Sequence, residues 1–190
     1  MSASGRVRII GGTLRNSRLD VPDLPGLRPT ADRVRETLFN WLQPVVGGAR
    51  CLDLYAGTGA LGIEALSRGA AAVTFVEREP RLVAALKANL ARLKTVGAEV
   101  VGDEASRWLR GPARPFDVVL LDPPFALDAW ADAARQLEDG GWIAAHGWIY
   151  VEAPRGAVFS LPGCWMPHRQ GHAGEVTYTL YRRTPADPLS

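Results

Sequence analysis

The sequence is poor in cysteine, histidine and lysine, and it has no long apolar run. Two cysteines, Cys51 and Cys164, are too few for a disulfide framework, so we expect a protein of the reducing cytoplasm. No apolar stretch approaches the length of a membrane span, and the first residues lack a signal peptide's apolar segment. Cys164, His168 and His172 have no second cluster of ligands, so no metal site is expected. These absences exclude secreted disulfide scaffolds and membrane proteins.

The chain has only two lysines but 20 arginines, and the arginines are unevenly distributed. Seven arginines against three acids fall in the first 35 residues, whereas the remainder carries 15 basic and 17 acidic residues. Compositional bias explains arginine in place of lysine, but it does not explain this clustering. We therefore expect residues 1–27 to form a basic arm that contacts a polyanion. The candidate contacts are Arg8, Arg15, Arg18, Arg28 and Arg33.

The order of the predicted elements indicates an α/β fold. The stretch "RVRIIGGTLRNSRLDV" alternates around Gly11-Gly12 and predicts a β-hairpin, and "TADRVRETLFNWL" predicts a helix with Thr30 as its N-cap. One face of that helix is apolar: Val34, Leu38, Trp41 and Leu42. From residue 49 onward strands and helices alternate, and "GEVTYTLYRR" then alternates like an antiparallel strand. We predict a doubly wound, mostly parallel sheet with an antiparallel last strand, in a domain of residues 28–190.

A glycine-rich loop follows the first strand of this domain. In "DLYAGTGALG", Gly57, Gly59 and Gly62 match the pattern G-x-G-x-x-G, and Glu77 ends the next strand 20 residues after Gly57. Glycines let the backbone approach a ligand closely, and an acid at this spacing can accept hydrogen bonds from ribose hydroxyls. The loop, in which Tyr55 is a further candidate contact, therefore predicts a pocket for a nucleoside-containing cofactor.

The acids around the loop favour one cofactor class. A dinucleotide places a pyrophosphate at such a loop, and Asp53, four residues before Gly57, would repel it. S-adenosylmethionine carries a sulfonium and an ammonium instead of phosphate, so nearby carboxylates favour it. After the third strand, either Asp103 or Glu104, next to Ala105, is placed to reach the adenine amino group. The sequence does not decide between these two acids.

The stretch "VVLLDPPFALD" ends the fourth strand in a stiff turn. Proline fixes its own φ and restricts the residue before it, so the turn holds a carboxylate and an aromatic ring apart. The conjugated amine of a base is a poor nucleophile that develops positive charge as it attacks a methyl carbon. A carboxylate and an inward carbonyl favour that charge, and a ring stacks on the flipped base. The predicted catalytic residues are Asp122, Pro123, Pro124 and Phe125.

These segments resemble a known family. "DLYAGTGALGIEALSRGA" with "LDPPF" resembles the class I S-adenosylmethionine-dependent methyltransferases that methylate amino groups. "RIIGG", "RPTADRVRETLFNWL" and "GEVTYTLYRR" narrow the resemblance to the ribosomal RNA small subunit methyltransferase D family, across nearly every residue from Arg8 to Arg183.

This resemblance implies a Rossmann-like fold and methylation of N2 of one guanosine in 16S rRNA, with a partly assembled small subunit as the substrate. It implies cofactor contacts at Gly57, Gly59 and Glu77, guanine contacts at residues 122–125, and RNA contacts on the basic hairpin. With no evident dimer element, we expect a monomer.

Three alternative functions share part of this pattern. A DNA adenine-N6 methyltransferase is expected to carry a target-recognition domain, for which 190 residues leave no room. A protein glutamine methyltransferase would share the catalytic turn but has little use for an arginine-rich arm. A non-catalytic RNA chaperone would not need both Glu77 and the Asp-Pro-Pro-Phe turn.

Overall fold

The structure, a computed structural model, describes residues 6–185 and contains a small hairpin and one large mixed sheet. The hairpin strands are β1 (Arg6–Arg8) and β2 (Arg18–Asp20). The large sheet contains β3 (Arg50–Asp53), β4 (Ala72–Glu77), β5 (Ala98–Gly102), β6 (Phe116–Leu121), β7 (Ile143–Pro154), β8 (Trp165–Ala173) and β9 (Val176–Arg183).

The large sheet has the order β5-β4-β3-β6-β7-β9-β8. All neighbours from β5 to β7 run parallel, whereas β9 runs antiparallel to both β7 and β8. The predicted doubly wound, mostly parallel sheet with an antiparallel last strand is therefore confirmed. The chain reverses its winding between β3 and β6, and ligands of such sheets bind beside that point.

In the part of the chain that the structure describes, five α-helices cover the two faces of the sheet: α1 (Asp32–Val46), α2 (Ala60–Ser67), α3 (Pro80–Arg92), α4 (Ala105–Trp108) and α5 (Trp130–Asp139). The helices α1, α2 and α3 share one apolar core with the hairpin, and α4 and α5 pack in a second core on the opposite face. The predicted apolar face of α1 is confirmed, because Val34, Leu38 and Leu42 are buried and Trp41 packs against the same core. None of the helices within residues 6–185 has both the length and the apolar character that a bilayer span requires.

The hairpin is held against α2 by apolar and charged contacts. Ile9 and Leu19 are fully buried in the core beneath it. The backbone amides of Ile10 and Gly11 donate to the carboxylate of Glu64, at 3.0 Å for the shortest bond of each. Glu64 is itself fully buried, and it lies 4.0 Å from the buried guanidinium of Arg35. The hairpin therefore has its own two-stranded sheet but shares the core of the larger domain.

The prediction that Thr30 caps α1 is wrong. The N-cap position is Ala31, and no side chain accepts a hydrogen bond from the first turn there. The Thr30 hydroxyl instead lies 3.2 Å from Asp122 Oδ2 and 3.1 Å from Glu152 Oε2. The carboxyl groups of the partly buried Asp122 and the buried Glu152 thus hold this hydroxyl, and the helix begins without a side-chain cap.

Candidate active site

A cavity of about 980 Å³ opens at the carboxyl ends of β3, β4, β5 and β6. The connector from Leu24 to Thr30, between the hairpin and α1, forms one of its walls. The predicted residues that line it come from four separate strand ends: Asp53, Tyr55, Gly57, Glu77, Asp103, Glu104, Ala105, Asp122, Pro123, Pro124 and Phe125. Parallel strands bring their carboxyl ends to one edge of a sheet, which explains why segments far apart in sequence meet here.

The glycine-rich loop is shaped by close packing. Gly59 sits at the N-cap of α2 with φ of 80°, and a Cβ atom there would lie 2.3 Å from Leu86. A Cβ atom on Gly62 would lie 2.3 Å from the ring of Phe75, so this glycine lets α2 pack tightly on β4. The amide of Gly62 donates to Asp53 Oδ2 at 3.0 Å. Burial raises the pKa of Asp53 to about 8.

Two backbone amides fix the carboxylate of Glu77. The amide of Gly57 donates to Oε1 at 3.0 Å, and the amide of Glu79 donates to Oε2 at 2.9 Å. The side chain is only partly buried, and it lines the cavity. Because both oxygens are oriented by backbone donors, the remaining lone pairs form a pre-positioned acceptor for hydroxyl groups of a ligand.

The two acids after β5 differ in their surroundings. Glu104 is the N-cap of α4: its carboxylate accepts bonds from the backbone amides of Ser106 and Arg107 and from the Ser106 hydroxyl. Burial raises the pKa of Glu104, but these hydrogen bonds outweigh it and hold the pKa below its usual range. The contacts of Asp103 fall on Oδ1, which accepts the Glu104 amide at 2.7 Å and lies 3.7 Å from Arg107.

The Asp-Pro-Pro-Phe turn holds its ring at the mouth of the cavity. Phe125 begins a short 3-10 turn that ends at Leu127, and the amide of Leu127 donates to the Pro124 carbonyl at 3.0 Å. The guanidinium carbon of Arg28 lies 4.0 Å from the centroid of the Phe125 ring. On the inner side the ring contacts Trp130, with 5.9 Å between centroids. The Phe125 ring thus contacts both the Trp130 ring and the Arg28 guanidinium.

A buried polar cluster behind the turn is not apparent in the sequence. Glu152, on β7, is 4% exposed, and its Oε2 accepts a bond from the Tyr150 hydroxyl at 2.8 Å. Burial, with the neighbouring Glu152, raises the pKa of Asp122 well above its usual value. Burial likewise raises the pKa of Glu152. The one available signal is an acid inside the apolar strand "WIYVEA".

The predicted RNA-contact residues are spread over the surface. Arg8 and Arg15 line a second cavity, of about 540 Å³, together with Arg68, Asn16 and Asn40. Arg28 lines the larger cavity. The two others, Arg18 and Arg33, are exposed elsewhere. The structure therefore places some of these side chains together on the hairpin, but it does not gather all five.

The larger cavity suits a cationic, phosphate-free nucleoside cofactor. A Cβ atom on Gly57 would meet only Leu27, at 4.0 Å, so this backbone borders open space in the cavity. Four carboxylates and one cation, Arg78, line the end of the cavity beside the glycine-rich loop, and Asp53 adds a carboxyl group whose raised pKa keeps it largely protonated. The four carboxylates are Glu77, Glu79, Asp103 and Glu104. Such a donor set fits the sulfonium and ammonium groups of S-adenosylmethionine and opposes a pyrophosphate.

Cys51 is a core residue. It is buried in β3, and burial raises the pKa of its thiol to about 12, so the reactive thiolate is strongly disfavoured. Within residues 6–185, no three His, Cys, Asp or Glu side chains are grouped so that they could hold a metal ion.

Comparison with known proteins identifies the family. The family model for conserved hypothetical protein 95 matches residues 7–182. Ribosomal RNA small subunit methyltransferase D of Escherichia coli strain K12 is 49% identical over 183 residues, covering 96% of this chain and 92% of that protein. Its counterpart from Haemophilus influenzae is 42% identical, covering 95% and 96% of the two chains.

A solved structure supports the same relationship. The structure of the Escherichia coli methyltransferase candidate yhhF has a TM-score of 0.89 and 45% identity, covering 95% of this chain and 99% of that one. The chain therefore belongs to the conserved hypothetical protein 95 family and is a member of the ribosomal RNA small subunit methyltransferase D family.

Proposed function

We propose that the protein transfers a methyl group from S-adenosylmethionine to the exocyclic N2 amine of a guanosine in 16S rRNA. One observation carries the proposal: the acidic glycine-rich loop and the Asp-Pro-Pro-Phe turn line one cavity. A methyl donor at the first and a base at the second would meet within that cavity. The names of the relatives, which are ribosomal RNA small subunit methyltransferases, support the choice of substrate.

The cofactor would be held by the loop and the acids around it. The Glu77 carboxylate, fixed by the amides of Gly57 and Glu79, would accept bonds from the ribose hydroxyls. Asp53 would act on the loop itself, through its bond to the amide of Gly62. Between the two acids after β5, Asp103 is the better partner for the adenine amine, because both oxygens of Glu104 already accept bonds from α4.

The bound cofactor supplies an electrophilic methyl group on a sulfonium. The Asp-Pro-Pro-Phe turn holds the amine in line with the methyl group. Asp122 accepts an N–H bond from the amine, and its negative charge favours the positive charge that develops on nitrogen. The Pro123 carbonyl is the second acceptor, since the Pro124 carbonyl is already bonded to Leu127. Phe125 stacks on the base, and Arg28 moves aside from the ring as the base enters.

The hairpin would position the RNA rather than select the guanine. Arg8 and Arg15, with Arg68, give the second cavity a cluster of guanidinium groups that suits backbone phosphates. Phosphate contacts of this kind fix the register of the RNA and carry no base information. We propose a partly assembled small ribosomal subunit as the natural substrate, and a monomer acting in the cytoplasm.

Methyl transfer from S-adenosylmethionine with a labelled methyl group tests this function. The purified protein would be offered 16S rRNA, small subunits at successive stages of assembly, an adenine-containing DNA duplex and a glutamine-containing peptide. Chromatography of the digested nucleosides should show label in N2-methylguanosine, and only with the ribosomal substrates. Label in N6-methyladenine or in the peptide would replace this proposal with one of the alternative amino-methyltransferases.

A further inference from the structure

Asp122 is joined to a second carboxyl group that lies behind the cavity wall. We call Asp122 and Glu152 the carboxyl pair. The Thr30 hydroxyl lies 3.2 Å from Asp122 Oδ2 and 3.1 Å from Glu152 Oε2, and so bridges the two. These contacts join segments 92 and 122 residues apart in the sequence. An acid that is 4% exposed and bonded to a catalytic candidate has no explanation in packing alone.

If both acids of the carboxyl pair are ionised, the Thr30 hydroxyl has too few protons to form hydrogen bonds to both of them. Thr30 has a single hydroxyl proton, which makes one strong bond at a time, yet its oxygen lies within hydrogen-bonding distance of both carboxyl groups. The second contact is satisfied only if one carboxyl group is protonated and donates to the Thr30 oxygen. The Tyr150 hydroxyl already donates to Glu152 Oε2, which favours the ionised form of Glu152. The consistent arrangement is a proton on Asp122, donated to Thr30, which in turn donates to Glu152.

The charges around the pair act on it from several elements. Arg28, in the connector, favours ionisation of both acids, whereas Asp53, at the end of β3, disfavours it at Asp122. From the strands behind the pair, Tyr150 on β7 donates its hydroxyl to Glu152, and Tyr178 on β9 lies opposite Glu152 in the sheet. Burial raises the pKa of Tyr150 well above its usual value, with Glu152 as the second cause. One cation, Arg28, therefore acts on two carboxyl groups, which favours retention of a proton by the pair.

The position of Glu152 is fixed independently of this proton. Trp130, in α5, donates its indole N–H to the backbone carbonyl of Glu152 at 2.9 Å. In β7, Glu152 pairs with Tyr178 of β9, and the preceding residue, Val151, pairs with Leu121 of β6. A change of protonation can thus move a hydrogen along the Thr30 hydroxyl without moving the carboxyl groups.

We propose that Asp122 and Glu152 share one proton through the Thr30 hydroxyl, and that Glu152 is a positioning residue that takes this proton when Asp122 ionises beside the reacting amine. The proposal rests on the proposed methyl transfer. In the ionising step, Asp122 gives its proton to the Thr30 oxygen and Thr30 gives its own to Glu152, so charge moves without a net change.

In the transfer step, the ionised Asp122 accepts the proton that the amine loses. The amine nitrogen forms its bond to the methyl carbon as the carbon–sulfur bond breaks, and that electron pair stays on sulfur. The nitrogen becomes cationic, and it loses one proton to the Asp122 carboxylate. The pair now holds two protons, and it returns to one by releasing a proton to solvent through the cavity.

A titration of the protein without substrate tests the sharing of the proton directly. Infrared difference spectra, or carbon NMR of labelled carboxyl groups, should show one protonated carboxyl that persists above the normal range of acids. That signal should be lost at a lower pH in Glu152→Gln, because removing a like charge lowers the pKa of Asp122. A wild-type protein with no retained carboxyl proton, or a Glu152→Gln protein with an unchanged signal, would overturn the proposal. Neither result depends on methyl transfer, so the proposed function is judged separately.

The pH dependence of single-turnover methyl transfer supplies the second test. In the wild type, the acidic limb of the rate marks the loss of the first of the pair's two protons, which leaves the pair sharing one. Thr30→Val should move this limb to higher pH, because the hydroxyl bridge favours the pair with one proton over the pair with two. Thr30→Ser keeps the hydroxyl and should restore the wild-type limb.

The matched control for these variants is Glu99→Gln, a surface change at a residue that pairs with Arg114. It should leave the limb in place. If Glu152→Gln does not fold, the shifted limb of Thr30→Val and the wild-type limb of Thr30→Ser still decide. Lower rates with an unmoved limb in every variant would mean that the cluster is only structural.

Discussion

Replacing Glu77 by glutamine should weaken S-adenosylmethionine binding while leaving the fold intact. The carboxylate accepts the amide of Gly57 on one oxygen and the amide of Glu79 on the other, at 3.0 and 2.9 Å. Glutamine has one acceptor oxygen, so its NH₂ group would face one of these N–H donors. The substitution also removes the charge that strengthens the bonds to the ribose hydroxyls. Losing charge-assisted hydrogen bonds costs about 1–3 kcal/mol, which is roughly a 5- to 150-fold increase in Kd.

Titration calorimetry measures this directly. Glu77→Gln and Glu77→Ala should both raise the Kd for S-adenosylmethionine, and thermal unfolding without ligand should change little because the side chain is only partly buried. Asp122→Asn, at the other end of the same cavity, is the control and should keep the wild-type Kd. NAD should not bind, since the acids at the loop repel its pyrophosphate. An unchanged Kd in both Glu77 variants, or tight NAD binding, would refute the cofactor assignment.

Three further outcomes are expected. Asp122→Ala should slow single-turnover methyl transfer by about 10²-fold or more and leave cofactor affinity unchanged. Phe125→Ala should also slow the transfer, whereas Phe125→Tyr keeps the aromatic ring and should be tolerated. Glu64→Gln should lower the free energy of unfolding by about 3 kcal/mol in urea titrations, because it removes the buried charge that accepts the hairpin amides and pairs with Arg68. A loss as small as that of a surface variant would contradict this. RNA binding should weaken, and its salt dependence should flatten, when three hairpin charges are neutralised together: Arg8, Arg15 and Arg18. An unchanged salt slope would mean that the hairpin does not bind the RNA.

The sheet and the two halves of the cavity were predictable because their signals are local. One strand ends in a glycine-rich loop, and another ends in Asp-Pro-Pro-Phe. Each of these short segments predicts a ligand site by itself. The parallel arrangement then brings Gly57 and Asp122 to the same edge of the sheet without any further information. The spacing of the two motifs in the sequence does not show that they are neighbours. The order of the strands, in which β3 lies beside β6, does.

The polar residues behind the cavity were not predictable, because their partners are remote in sequence. The Thr30 hydroxyl matched the local pattern of a helix cap, and only the folded chain brings Asp122 and Glu152 to it. Arg35 lies on the apolar face of α1, three residues before Leu38. From the sequence pattern alone, a charged side chain at this position is expected to be exposed to solvent. Its partner Glu64 lies inside an apolar helix. Buried charges that pair across elements occupy positions where the sequence pattern predicts apolar residues. Each therefore appears in the sequence as a single charged residue among apolar ones.

The most direct test of the central assignment is mass spectrometry of the 16S rRNA nucleosides from a strain that lacks this protein. We predict that one N2-methylguanosine is missing from the rRNA of that strain. A plasmid copy of the wild-type chain should restore it, whereas an Asp122→Asn copy, expressed at the same level, should not. An unchanged content of N2-methylguanosine in the deletion strain, or full restoration by the Asp122→Asn copy, would contradict the assignment.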